Sequence, residues 1–167
     1  MSIDYDDEYP SCERTDVVLR IYPGERDPGW ITRTLGIEPS SVNRQGEQSI
    51  NSLGLVRTSQ INSWFLSSAG QLASKDSRRH LDWLLDALAG AEDRIKELVM
   101  DSTVRIDVIC VWWSAAGHGG PVLSPAQMSR LADLGLQLGF DLYFFLRPMA
   151  SPTQCLRLVS SISGYWI

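Results

Sequence analysis

The chain has 167 residues, 44% hydrophobic and 21% charged, which is enough for one domain with a core that needs no metal or disulfide staple. Its net charge of −5 is confined to residues 1–16, where six carboxylates stand against Arg14; beyond them fourteen acidic and fourteen basic residues balance. No run reaches membrane-span length, the polar N-terminus is no secretory leader, and no basic stripe interleaves with aromatics. The expectations are therefore a cytoplasmic protein, no membrane partner and no direct nucleic-acid binding.

Residues 1–15 form an acidic arm carrying Asp4, Asp6, Asp7 and Glu8. Its plainer reading is a solvated, mobile terminus; its sharper one is an arm that meets a basic partner. The domain proper is placed at 16–167. Asp16 to Tyr22 alternates with period 2 and predicts a first strand, with Val17, Leu19 and Ile21 on one face. Asp27 and Pro28 then start a short helix through Trp30, Ile31 and Leu35, which Gly36 closes. Residues 39–60 read as a short strand near Val42, a turn at Gly46 and an irregular loop. Residues 62–68 (NSWFLSS) predict a strand with Trp64 and Leu66 on one face.

From 77 to 100 apolar residues recur at three- and four-residue spacing, predicting one long helix capped by Asp76 or Ser77, with Gly90 as a kink or close contact. His80 is expected as a partly exposed first-turn residue. Val104 to Leu146 forms the centre: a strand, a glycine-rich loop, a helix started by Ser124-Pro125 and carrying Met128, Leu131, Ala132 and Leu134, and a returning strand from Asp141. Val104, Ile106, Val108, Cys110 and Trp112 share the core face, while Ile109, Val111 and Trp113 make a second apolar face that needs a cover. The 148–167 extension ends in Tyr165-Trp166-Ile167 and is expected to dock on that face.

DPGWITRTLGI after the first strand and SPAQMSRLADLGL after the central one share a cap, a proline, a short helix and a Leu-Gly exit. The fold class expected is α+β: a single domain, a mixed and mostly antiparallel sheet, helices on one face, and two related strand–helix units. Together with NSWFLSS, HLDWLLDAL and GGPVLSPAQMSRLADLGLQLGFDLYF, the first helix segment gives the chain a resemblance, over about residues 16–146, to a bacterial family of domains of unknown function numbered 4279. The resemblance implies an intracellular bacterial α+β domain and brings no catalytic residue with it.

Chemistry is sparsely marked. Cys12, Cys110 and Cys155 are too dispersed for a zinc site or a disulfide framework, and no metal or cofactor is expected. The Gly117, His118, Gly119, Gly120 loop is the alternative ligand site, with His118 as acid or base; it matches neither a dinucleotide fingerprint nor a phosphate loop, and a plain connection is the commoner meaning of such glycines. Asp27, Glu25 and Asp141 could converge as carboxylates, but their places at caps and strand starts have a structural explanation; Arg20, Arg26, Arg44 and Arg147 could line an anion pocket, but solvated surface arginines are the commoner case. No catalytic residue is assigned. The leading expectation is a non-catalytic protein-binding domain, concretely an immunity protein covering a basic toxin, with Asp4, Asp6, Asp7, Glu8, Trp113 and Trp166 as contact residues. The alternative is a small-molecule sensor or enzyme built on the glycine loop, and homodimerisation through the second face is compatible with both.

Overall fold

The computed structural model describes residues 4–50 and 54–144. Elements follow in the order β1 (Cys12–Tyr22), α1 (Gly29–Leu35), β2 (Ser41–Asn43), β3 (Gln48–Ile50), β4 (Val56–Thr58), β5 (Ser63–Ser67), α2 (Ser77–Ala87), α3 (Glu92–Met100), β6 (Arg105–Ser114), α4 (Pro125–Leu134) and β7 (Leu138–Phe144). Five strands form one sheet in the order β2-β5-β1-β6-β7, and β3 and β4 make a separate hairpin. All pairs in the large sheet are antiparallel except β6 with β7, which the α4 crossover makes parallel. The chain is thus a single α+β domain of the expected mixed, mostly antiparallel kind.

One sheet face is core. Val17, Leu19 and Ile21 of β1, Trp64 and Leu66 of β5, and Val108 and Cys110 of β6 alternate inward. They meet Ile31 and Leu35 of α1, Leu81, Leu84 and Leu85 of α2, Ile95 and Leu98 of α3, and Leu131 and Leu134 of α4. At roughly 1.5–3 kcal/mol for each large apolar side chain removed from water, this interdigitation is the main stabilising contribution. Trp64 also satisfies its indole N–H, donating to Thr32 Oγ1 at 3.0 Å, which ties β5 to α1. Cys110 lies inside this cluster, and burial pushes its thiol up to about 12, so it behaves as a small core residue.

Several expectations need correction. The predicted 77–100 helix is two helices: the chain leaves α2 at Leu88, Gly90 takes φ +84°, and Glu92 begins α3. A left-handed residue stops an α-helix outright, so the apolar stripe continues across the break only because both pieces pack on the same core. Glu92 Oε2 accepts the Gly90 N–H at 2.8 Å and secures the corner. His80 is not a partly exposed residue but is 2% exposed. Met128 stands out from α4, which packs through Leu131 and Leu134 instead. β1 starts at Cys12, inside the segment assigned to the arm, and β7 at Leu138 rather than Asp141. The irregular loop of 39–60 contains the β3–β4 hairpin. The two strand–helix units differ in their return: α4 leads to β7 beside β6, whereas α1 leads to β2, one strand removed from β1. The 148–167 extension, with Cys155 and Trp166, and Arg147 just before it lie outside the described residues.

Candidate functional site

The acidic arm reads as a mobile terminus, yet residues 4–11 lie against α2 and the end of β6. Tyr5 donates its hydroxyl to Asp82 Oδ2 at 2.8 Å, and Arg79 lies over the Tyr5 ring at 4.2 Å. Arg79 Nε and Nη2 donate to the two oxygens of Asp7 at 2.7 and 3.0 Å. The Lys75 N–H donates to Asp7 O, and Arg78 Nη2 donates to Asp4 O at 3.0 Å. Tyr9 packs edge-on against Trp112, 5.5 Å between centroids. The carboxylates of Asp4, Asp6 and Glu8 are exposed, Glu8 lying 3.7 Å from Lys75 Nζ, so the arm is anchored mainly through its aromatics, backbone and Asp7.

Asp76 is the hinge pin of this arrangement. Its Oδ1 accepts the Arg78 N–H at 2.9 Å as the cap of α2, and its Oδ2 accepts the Asp6 N–H at 2.8 Å from the arm. Burial pushes the Asp76 carboxyl up, but the Arg78 guanidinium and these two N–H groups outweigh it and hold it below the usual range. Asp7 is lowered as well, by hydrogen bonding to Ser74 and then to Arg79.

Beneath the arm, His80 links three segments. Its Nε2 lies 2.9 Å from Ser74 O, which can only accept, so Nε2 carries a proton. Nδ1 lies 2.8 Å from Ser68 Oγ, and that hydroxyl also accepts the Val17 N–H at 2.9 Å. A serine beside a histidine has the look of a nucleophile and base. Ser68, however, is 0% exposed and its oxygen is occupied by β1 backbone, so no substrate reaches it. The pair joins the middle of β1 and the end of β5 to α2.

Between the arm, the start of β1 and the β5–α2 loop lies a cleft of about 630 Å³, bordered by Glu13, Arg14, Asp16, Gly70, Lys75 and His80 among others. Arg14 and Asp16 also belong to the second sheet face. There Arg14, Trp113 and Tyr143 pair across three strands: Trp113 and Tyr143 stack with 4.3 Å between centroids and 11° between planes, and the Arg14 guanidinium carbon lies 4.8 Å from the Trp113 ring. The adjoining row is Asp16, Val111 and Asp141, and Tyr143 donates its hydroxyl to Asp141 at 2.9 Å. Further along, Arg20 Nε donates to Asp107 Oδ1 at 2.7 Å. Ile109 and Val111 are half-buried, and among the described residues no helix packs on this face. The edge strand β7 adds Phe140, Leu142 and Phe144, each exposed by between 43% and 50%, on the opposite side.

The other candidates separate. Gly117, His118, Gly119 and Gly120 form a surface turn; His118 is exposed, its carbonyl accepts from Ser114 Oγ at 3.0 Å, and none of the four borders the cleft. Gly119 has a packing role: with φ +86°, a Cβ there would fall 2.4 Å from Ser11 Oγ, so the loop closes on the arm only as glycine. Arg20, Arg26 and Arg44 pair singly with Asp107, Asp101 and Asp27, and these carboxylates do not meet. Among the described residues no group of three or more His, Cys, Asp or Glu is placed to hold a metal, and no helix is long and apolar enough to cross a membrane. What sequence reasoning missed is the cleft and its residues Asp16 and Lys75. Asp16 reads only as the first residue of a strand, and nothing local reveals that β1 overruns β5.

No curated protein and no solved structure matches the chain. Residues 13–145 match the family described as Domain of unknown function (DUF4279), so the α+β sheet, its four helices and both faces described above are those of a member of that family.

Proposed function

We propose that this chain is a non-catalytic protein-binding domain of a bacterial cytoplasm, acting as an immunity protein that neutralises a cognate toxin by covering it. The observation that carries the reading is the Arg14–Trp113–Tyr143 row on the sheet face opposite the four helices of the described residues. Trp, Tyr and Arg are the side chains that dominate binding energy at interfaces, and here they are stacked in advance, so little side-chain freedom is lost on contact. The arm, anchored on α2, adds the exposed carboxylates of Asp4, Asp6 and Glu8. That charge suits a basic partner and would speed its approach at low salt.

The test is co-expression with the product of the adjacent gene. The reading expects the wild-type chain to restore growth and co-purify with that product, and Trp113→Ala to do neither while remaining folded. A toxic neighbour that is unaffected by the wild-type chain, or equally neutralised by the variant, contradicts it.

A further inference from the structure

A second cleft, of about 440 Å³, lies at the other end of β1, between the β1–α1 loop, the start of β5 and the α3–β6 loop. Tyr22, Glu25, Gln60, Ile61, Val104 and Arg105 are among the residues that border it. Its size falls within the roughly 300–1,000 Å³ of small-ligand sites. The loops around it are tied to one another by their own side chains. Asn62 donates Nδ2–H to Gly24 O at 3.1 Å and accepts the Gln45 N–H at 2.9 Å. Asp101 accepts the Thr103 N–H at 2.9 Å on one oxygen and Arg26 Nη1 at 2.8 Å on the other. Walls fixed in this way need little further ordering when something binds. The charges at the cleft are handled differently from those around it. Arg20, Arg26 and Arg44 each have an aspartate partner. The Arg105 guanidinium lies 4.1 Å over the Tyr22 ring, which holds it in place, yet among the described residues it donates to no acceptor. Glu25, on the same cleft, likewise has no hydrogen bond or ion pair among the described residues, so the two opposite charges do not neutralise each other. Tyr22, Val104 and the 52% exposed Ile61 supply the apolar part of the lining.

We infer that this second cleft binds a small zwitterion of the amino-acid kind, its carboxylate taken by Arg105, its ammonium by Glu25 and an apolar side chain by Tyr22 and Ile61. The guanidinium offers paired N–H donors that match the two oxygens of a carboxylate, and the glutamate accepts from an ammonium. A ligand with a single charge leaves one of the two poles unanswered, so selectivity for both charges together is the signature of the site. Arg14 and Tyr22 stand eight residues apart on β1, roughly 26 Å along an extended strand. The cleft is therefore separate from the aromatic row and does not depend on the protein-binding reading.

The experiment is an NMR titration of the full chain with L-leucine and with the dipeptide Gly-Leu, both zwitterions. The controls are their N-acetyl forms, which keep only the carboxylate, and their amides, which keep only the ammonium. The zwitterions should shift resonances of Glu25, Ile61 and Arg105 and saturate with a Kd of about 1 mM, the scale for so few atoms. Each single-charge form should bind about tenfold more weakly or less. Arg105→Gln should bring the zwitterion down about tenfold, to the level of its amide, and Glu25→Gln should bring it to the level of its N-acetyl form. Both side chains are exposed, so both variants should keep the wild-type urea midpoint, which separates lost binding from lost folding. Saturation by leucine alone assigns the cleft to a free amino acid and saturation by Gly-Leu alone to a short peptide, and the paired-charge reading holds in either case. A zwitterion that binds no better than its single-charge forms overturns the inference. An affinity that Arg105→Gln and Glu25→Gln leave unchanged overturns it as well, as does the lack of a saturable response to either zwitterion.

Discussion

Replacing Asp76 by alanine tests how the arm is held. The side chain is 5% exposed and makes three kinds of contact: the cap of α2 through the Arg78 N–H, the arm through the Asp6 N–H, and the Arg78 guanidinium. Loss of an N-cap costs about 1 kcal/mol. The Asp6 N–H gives up a charge-assisted acceptor, and because the arm can lift into water about 1 kcal/mol follows rather than the full penalty of a buried orphan. Arg78 is partly solvated, so losing its partner adds about 0–1 kcal/mol. The total is about 2–3 kcal/mol, read as a lower urea midpoint at unchanged slope. Asp76→Asn keeps a capping oxygen and should lose about half as much. Limited proteolysis should cleave near Tyr9 faster in the alanine variant than in wild type. An alanine variant within about 0.5 kcal/mol of wild type, or an asparagine variant as damaging as alanine, would refute the reasoning.

Three further outcomes follow from the same region. His80→Ala should cost about 2–4 kcal/mol by thermal or urea unfolding, since it opens a cavity and strips Ser68 Oγ and Ser74 O of a partner; a cost under about 1 kcal/mol would show the link to be dispensable. Gly119→Ala should lose about 1–3 kcal/mol through left-handed backbone and the clash with Ser11, whereas His118→Ala, on the exposed side of the same loop, should stay within about 0.5 kcal/mol. Asp7 and Asp76 both have carboxyls held below the ordinary 3.8, so their stabilisation is complete above that value and fades as pH falls through their lowered folded-state values. Acid should therefore release the arm below about pH 4, seen as a change in Trp112 emission as Tyr9 leaves it, and the transition should be weaker in Asp76→Asn.

The sheet was legible because its strands obey period 2 with little interference. Val17, Leu19 and Ile21, or Val108 and Cys110, point one way whatever surrounds them. Helix ends were legible where a cap has its own chemistry: Ser124 accepts the Gln127 N–H while the Gln127 side chain accepts the Ser124 N–H, and both residues stand three apart in the sequence. Gly90 was ambiguous because a stripe of leucines and isoleucines runs through it at helical spacing; only the backbone angle distinguishes a kink from a full break. The arm was misread because its anchors are distant partners, Tyr5 with Asp82 and Tyr9 with Trp112, and local charge says nothing about them. The cleft was illegible for the same reason. It exists because β5 stops at Ser67 while β1 runs back to Cys12, a difference in strand length that appears only once the strands are paired.

The central claim, that the sheet face carrying Arg14, Trp113 and Tyr143 binds a protein through this aromatic row, is tested most directly by isothermal titration of the purified chain against the purified product of the adjacent gene at low and at high salt. The account predicts saturable one-to-one binding that weakens as salt rises and that Trp113→Ala abolishes while the variant keeps its wild-type unfolding midpoint. Binding that Trp113→Ala leaves intact, or no heat of binding at either salt concentration, would contradict it.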